Sequence, residues 1–164
     1  MRIYLTNLGK YNEGFLVGEW LELPATEKEI EESFKRIGID GVNYEEYFIT
    51  DYEDFLFNVG EYENLEHLNE ISEKIENLND DEKIVFEYLK DYQNYDFEEA
   101  FEIIENQDYL YYANIKNEID LGYALAEDWE IPEHLKNYID YEAIGRDATF
   151  ENWDIYKNIA ICLY

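Results

Sequence analysis

Residues 137–147 read NYIDYEAIGRD. They put three carboxylates (Asp140, Glu142, Asp147), two tyrosines (Tyr138, Tyr141) and Arg146 into eleven positions. Carboxyl pairs can perform general acid–base catalysis when burial or a close neighbour moves one pKa into the working range. Asp and Glu make up 41 of the 164 residues, so close carboxyl pairs arise throughout the chain and none of them marks a site. The stretch also has a simpler reading. Glu142 and Arg146 stand at i and i+4, the spacing of a helix-surface ion pair worth about 0.3 kcal/mol, and Gly145 is placed to end that helix. We assign no catalytic residue.

Other chemistries find equally little support. The glycines of NLGKYNEGFLVGEW (7–20) form neither a GxGxxG nor a P-loop pattern. His67 and His134 lie in separate segments without a ligand partner at useful spacing. The nearest approach to a calcium loop is DYEDFLFNVGEYE (51–63), but Phe55, Leu56 and Phe57 fill its interior and should pack rather than wrap an ion. No metal ligand or cofactor is assigned.

The charge is the outlier. Against 41 acidic residues stand 12 basic ones, a net −29, where a magnitude of ~2–8 suffices for the solubility of a small domain. The excess costs stability through self-repulsion. Disorder is a poor account of it, because 46% of residues are hydrophobic and 17 are tyrosine, which buries a ring while keeping a wet hydroxyl. Duplex DNA and anionic lipid would repel such a chain, so neither nucleic acid nor membrane is expected as a partner. A basic protein surface is the natural counterpart. One cysteine, Cys162, cannot form an intrachain disulfide. The first residues lack the apolar stretch of a signal peptide, and no run approaches a membrane span. A cytoplasmic protein is expected.

The elements that must carry these charges read as α+β in three segments: 1–60, 61–106 and 107–164, with net charges of −8, −13 and −8. The first segment reads as a small antiparallel sheet plus one helix. Its strands are 2–7, 14–24 (with Phe15, Val17, Leu21 and Leu23 on one side) and 44–53. Its helix, 26–38, carries a Thr26–Glu29 capping box and a Gly38 stop. The second reads as a central helical bundle. In 63–78, Leu65, Leu68, Ile71, Ile75 and Leu78 share one face. Helix 81–92 buries Ile84, Val85, Tyr88 and Leu89, and helix 96–106 opens on an Asp96–Glu99 capping box. The third is mixed α/β: a strand at 109–115, helices at 117–129 and from Pro132, and a terminal hairpin of 148–153 with 158–164.

On this frame the carboxylates form rows. Glu63, Glu66, Glu70 and Glu73 fall opposite the apolar face of their helix, and Glu98, Glu102 and Glu105 form a second row beside Glu99. Asp80, Asp81, Asp120 and Asp128 extend the acidic surface. Helix neighbours at i, i+3 and i+4 lie about 5–6 Å apart, near the spacing of successive phosphates. Duplex DNA carries one charge per ~1.7 Å of axis, so 29 charges match roughly 50 Å of duplex, and a symmetric dimer roughly 100 Å.

Four stretches carry a family resemblance. IYLTNLGKYNEGFLVGEWLELP (3–24), EEYFITDYE (45–53), GEYENLEHLNE (60–70) and IPEHLKNYIDYEAIGRD (131–147) together resemble the ArdA antirestriction family. The resemblance implies an elongated, dimeric mimic of DNA built from three small domains and encoded by a phage, plasmid or transposon. It implies occupation of the DNA-binding groove of type I restriction–modification enzymes, at their methyltransferase–specificity core, without catalysis or cofactor. It also implies a dimer contact in the C-terminal domain, where the antirestriction motif corresponds to Asn137, Tyr138, Ile139, Asp140, Tyr141, Glu142, Gly145, Arg146 and Asp147. Ile144 stands where the family pattern has an aromatic residue. Two other readings remain open at this level: a mimic aimed at a different DNA-binding host protein, and a small hydrolase using paired carboxylates.

Overall fold

The computed structural model describes residues 1–127 and 129–164. The fold is α+β, with two three-stranded antiparallel sheets and a set of short helices. The chain forms two compact units, Met1–Asp91 and Tyr92–Tyr164.

In the first unit, β1 (Arg2–Asn7) is the central strand, flanked by β2 (Gly18–Glu22) and β3 (Tyr47–Glu53). Alternation along β1 buries Ile3 and Leu5 completely, each worth about 1.5–3 kcal/mol of transfer free energy. Tyr4, on the other face, packs edge-on against Trp20 at 5.3 Å, and Arg2 lies over the same indole at 4.7 Å while pairing with Glu53. A bulge beside Tyr4 and Leu5 shifts the β1–β3 register.

Between β1 and β2 the chain forms α1 (Leu8–Asn12), a single short turn that periodicity does not announce. Fully buried Asn7 starts it: its Oδ1 accepts from the Lys10 N–H at 2.9 Å and its Nδ2 donates to the Ile37 carbonyl at 3.2 Å. This turn truncates the strand expected over 14–24 to Gly18–Glu22 and leaves Phe15 exposed, while Leu21 and Leu23 are buried as expected.

Helix α2 (Glu27–Ile37) has the expected capping box and ends at Gly38, whose φ of 80° is the left-handed conformation glycine adopts without strain. The loop after it closes on Asp40, whose Oδ1 accepts from the backbone N–H groups of Val42, Asn43 and Tyr44. Helix α3 (Leu65–Asn77) buries Leu65, Leu68, Ile71 and Ile75. Helix α4 (Asp80–Glu87) passes into a π-helical turn, Tyr88–Tyr92, instead of remaining α-helical to residue 92. The segment 51–63 is packed as expected: Tyr52, Phe55, Phe57 and Phe86 form a chain of edge-on ring contacts.

In the second unit, α5 (Phe97–Asn106) leads into β4 (Tyr109–Ala113), α6 (Glu118–Leu125), a 3-10 helix (Glu133–Tyr138), α7 (Tyr141–Glu151), β5 (Trp153–Tyr156) and β6 (Ile159–Leu163). Central β6 pairs with β4 and β5 and buries Ile159, Ala160, Ile161 and Cys162. The core gathers Ile115, Leu121, Trp153, Ala160 and Cys162, with Tyr112 stacked on Trp153 at 5.2 Å.

Four expectations are corrected here. The terminal hairpin exists, but its first strand begins at Trp153, because 148–151 is the end of α7. Gly145 does not stop a helix; it lies buried inside α7. The segment after Pro132 is 3-10 rather than α-helical, and α6 ends at Leu125, short of residue 129. Among the described residues no helix is long and apolar enough to cross a membrane.

Each of α2 to α7 carries an acidic residue in its first turn, from Glu27 and Glu29 in α2 to Glu142 in α7. Carboxylates there meet the positive end of the helix dipole, worth about 0.3–1 kcal/mol each.

Candidate functional site

The acidic rows take the form the periodicity predicts. Glu66, Glu70 and Glu73 stand exposed on α3, and Glu63 is exposed just ahead of its cap, Asn64. Glu98, Glu102 and Glu105 stand exposed on α5, turned away from buried Ala100, Phe101 and Ile104. Asp80 and Asp81 are exposed in the first turn of α4. No ion pair among the described residues engages the carboxylates of either row.

Two candidates are drawn into local structure. The Glu99 carboxylate accepts from the Asp96 N–H at 3.3 Å and completes the capping box of α5. Asp120 is half-buried, and its Oδ2 accepts from the Lys116 N–H at 3.0 Å. Asp128 lies outside the described residues.

Two carboxylates in structural contacts, Glu19 and Asp40, have lowered pKa values. Arg36 forks onto both oxygens of Glu19 at 2.7–3.0 Å, which lowers the Glu19 pKa and raises that of the guanidinium. The Asn43 amide and three backbone N–H groups hold Asp40 well below the usual carboxylate range. Among the described residues no three His, Cys, Asp or Glu side chains converge as metal ligands.

The 137–147 segment is built for packing. Asp140 caps α7, its Oδ1 accepting from the Ala143 N–H at 3.0 Å. The Tyr141 ring stacks on Tyr123 of α6 with centroids 4.0 Å apart and planes 21° from parallel. Gly145 lies against the backbone of α6, where a Cβ would overlap the Glu118 carbonyl oxygen. Reciprocally, a Cβ on Gly122 of α6 would overlap the Tyr141 carbonyl oxygen. The two helices therefore meet backbone to backbone through one glycine each.

Gly122 matches no turn or cap pattern in the sequence. Its one local signal is its place in LGYALA, a run of small and apolar residues where a helix-weakening glycine has no turn to serve. Among the described residues the expected Glu142–Arg146 pair does not form; Arg146 instead lies 3.8 Å from Asp147. Asn137 and Tyr138 are exposed at the end of the 3-10 helix, Ile139 is half-buried, and Glu142 is exposed. Ile144 is half-buried inside α7. A groove of about 860 Å³ runs beside the tyrosine stack, lined by Tyr123, Trp129, Pro132 and Tyr141 among others.

Each unit thus carries a row of exposed carboxylates on a capped helix, and the second unit carries a motif that locks two helices together. A search of curated proteins found no match. The sequence model of the family described as antirestriction protein (ArdA) matches residues 3–158, nearly the whole chain. The chain belongs to the ArdA antirestriction protein family.

Proposed function

We propose that the protein is a mimic of double-stranded DNA that occupies the DNA-binding groove of type I restriction–modification enzymes at their methyltransferase–specificity core. The observation that carries this reading is the pair of exposed carboxylate rows on α3 and α5, held on well-capped helices in a chain of net charge −29. A basic groove shaped for phosphates gains from such rows as it gains from DNA. The protein acts in the cytoplasm of a bacterial host as an inhibitor, with no catalysis, cofactor or direct contact to nucleic acid.

The working form is a homodimer joined through the C-terminal region. Tyr138, Phe150 and Tyr164 support this, at 85%, 80% and 78% exposed, since aromatic rings left in water are enriched at interfaces. Sedimentation at micromolar concentration tests it, and a monomer there contradicts it.

The test of function is a type I cleavage and methylation assay with the pure protein. Inhibition at near-stoichiometric ratio, relieved by salt and by excess duplex, is expected. Absence of inhibition, with capture of a different DNA-binding host protein instead, would move the mimicry to that target.

A further inference from the structure

We infer that the cleft between α2 and α3 is a slot for a basic segment of the partner protein, receiving Lys or Arg side chains that protrude from its surface. The inference rests on the DNA-mimic reading and gives the α3 row, through Glu66 and Glu70, a second role as one wall of a cleft.

The cleft holds about 570 Å³ and lies within the first unit. Its floor is apolar: Ile30, Phe34, Tyr47 and Leu65. Its walls are acidic: Glu27 and Glu31 stand at i and i+4 on α2, and Glu66 and Glu70 at i and i+4 on α3. All four carboxylates belong to exposed residues, whereas Ile30 and Phe34 are half-buried with their outer surface in the cleft.

The walls are held at a set separation. The Asn69 carboxamide of α3 clips the Ala25 backbone in both directions: Oδ1 accepts from the Ala25 N–H at 2.6 Å and Nδ2 donates to the Ala25 carbonyl at 3.0 Å. The Leu65 N–H donates to the Tyr47 hydroxyl at 3.3 Å, and the Tyr47 ring lies 5.2 Å from Phe34. A preformed cleft loses little ordering entropy on binding.

The chemistry selects the occupant. A purely apolar guest would desolvate four carboxylates, and an anionic one would be repelled. A Lys or Arg side chain satisfies both surfaces, because its methylene stem lies on the floor while its charged end reaches a wall. The cations of α2 are arranged to leave the cleft acidic. Arg36 is held by Glu19, and Lys28 lies 3.7 Å from Glu32. Lys35 reaches Glu31 at 3.5 Å, but their side chains are 71% and 70% exposed. Such a loose surface pair yields readily to an incoming cation.

The test uses the full protein and a purified type I enzyme, with the dissociation constant measured as a function of salt. Glu27→Gln with Glu31→Gln should weaken binding by about 3- to 30-fold and flatten the salt dependence. Ile30→Ser should weaken it by about 3-fold or more and leave the salt slope unchanged, because no charge is altered. Thermal melting checks each variant; the glutamates are exposed, so the double Gln variant keeps the test alive if Ile30→Ser does not fold. Glu98→Gln with Glu102→Gln and Glu105→Gln on α5 is the control. If the control weakens binding and both cleft variants bind like the parent, the slot is wrong. If the control too has no effect, the mimic reading itself fails.

Discussion

Gly145 of α7 lies flush against the carbonyl oxygen of Glu118 in α6, with no space for a methyl group between the two helix backbones. The clash would be with backbone, which cannot swing aside as a side chain can. Gly145→Ala should therefore cost at least about 1–3 kcal/mol, the usual penalty of overpacking. The better helix propensity of alanine offsets less than ~1 kcal/mol of that. Denaturant unfolding checks this, and Gly122→Ala should behave alike because its clash is with Tyr141 in the same helix pair.

Asp140 separates a capping role from a charge role. Asp140→Asn keeps an oxygen for the Ala143 N–H and should retain both stability and inhibition. Asp140→Ala should lose about 1 kcal/mol of stability. Equal loss of inhibition in both variants, with stability kept in Asp140→Asn, would mean that its charge is what the partner reads.

Neutralising the α5 row should erode inhibition gradually. Each exposed carboxylate contributes about 0.2–1 kcal/mol to an ion pair, so replacing Glu98, Glu102 and Glu105 by Gln should weaken binding roughly 3- to 100-fold. Single variants should lie on the same graded scale. A single Gln variant that abolishes activity would point to a catalytic carboxylate instead. Inhibition titrations at two salt concentrations check this.

The Glu19–Arg36 fork predicts a pH signature. The Glu19 pKa is lowered in the folded protein, chiefly by its hydrogen bonds from Arg36. Its contribution to stability is therefore full above the unfolded carboxylate value and is lost as pH falls through the lower folded value. Glu19→Gln should be less stable than the parent at pH 7, and the difference should vanish under strongly acidic conditions. Denaturant unfolding of both proteins across that range is the check, and a pH-independent difference would contradict it.

Local signals in the sequence translated well where the chain decides locally. Thr26 with Glu29 and Asp96 with Glu99 formed their capping boxes, and Gly38 ended its helix. The apolar stripe of α3 fell inward and its glutamates outward. Sequence and structure part where a tertiary contact decides. Gly145 resembles a helix stop in sequence, but its missing side chain serves the close approach to Glu118. Helix α7 also runs on through residues 148–151, which have no helical stripe of their own. The turn α1 depends on Asn7 bridging to Ile37, thirty residues away, which no window of local sequence contains.

The acids in the first turns of α2 to α7 have a consequence beyond helix stability. A free helix N-terminus is a landing place for phosphate. Here each of those six carries an acidic side chain within its first turn. Such helix ends repel a phosphate polyanion instead of receiving it. On the proposed reading, this keeps DNA from competing for the inhibitor's own surface.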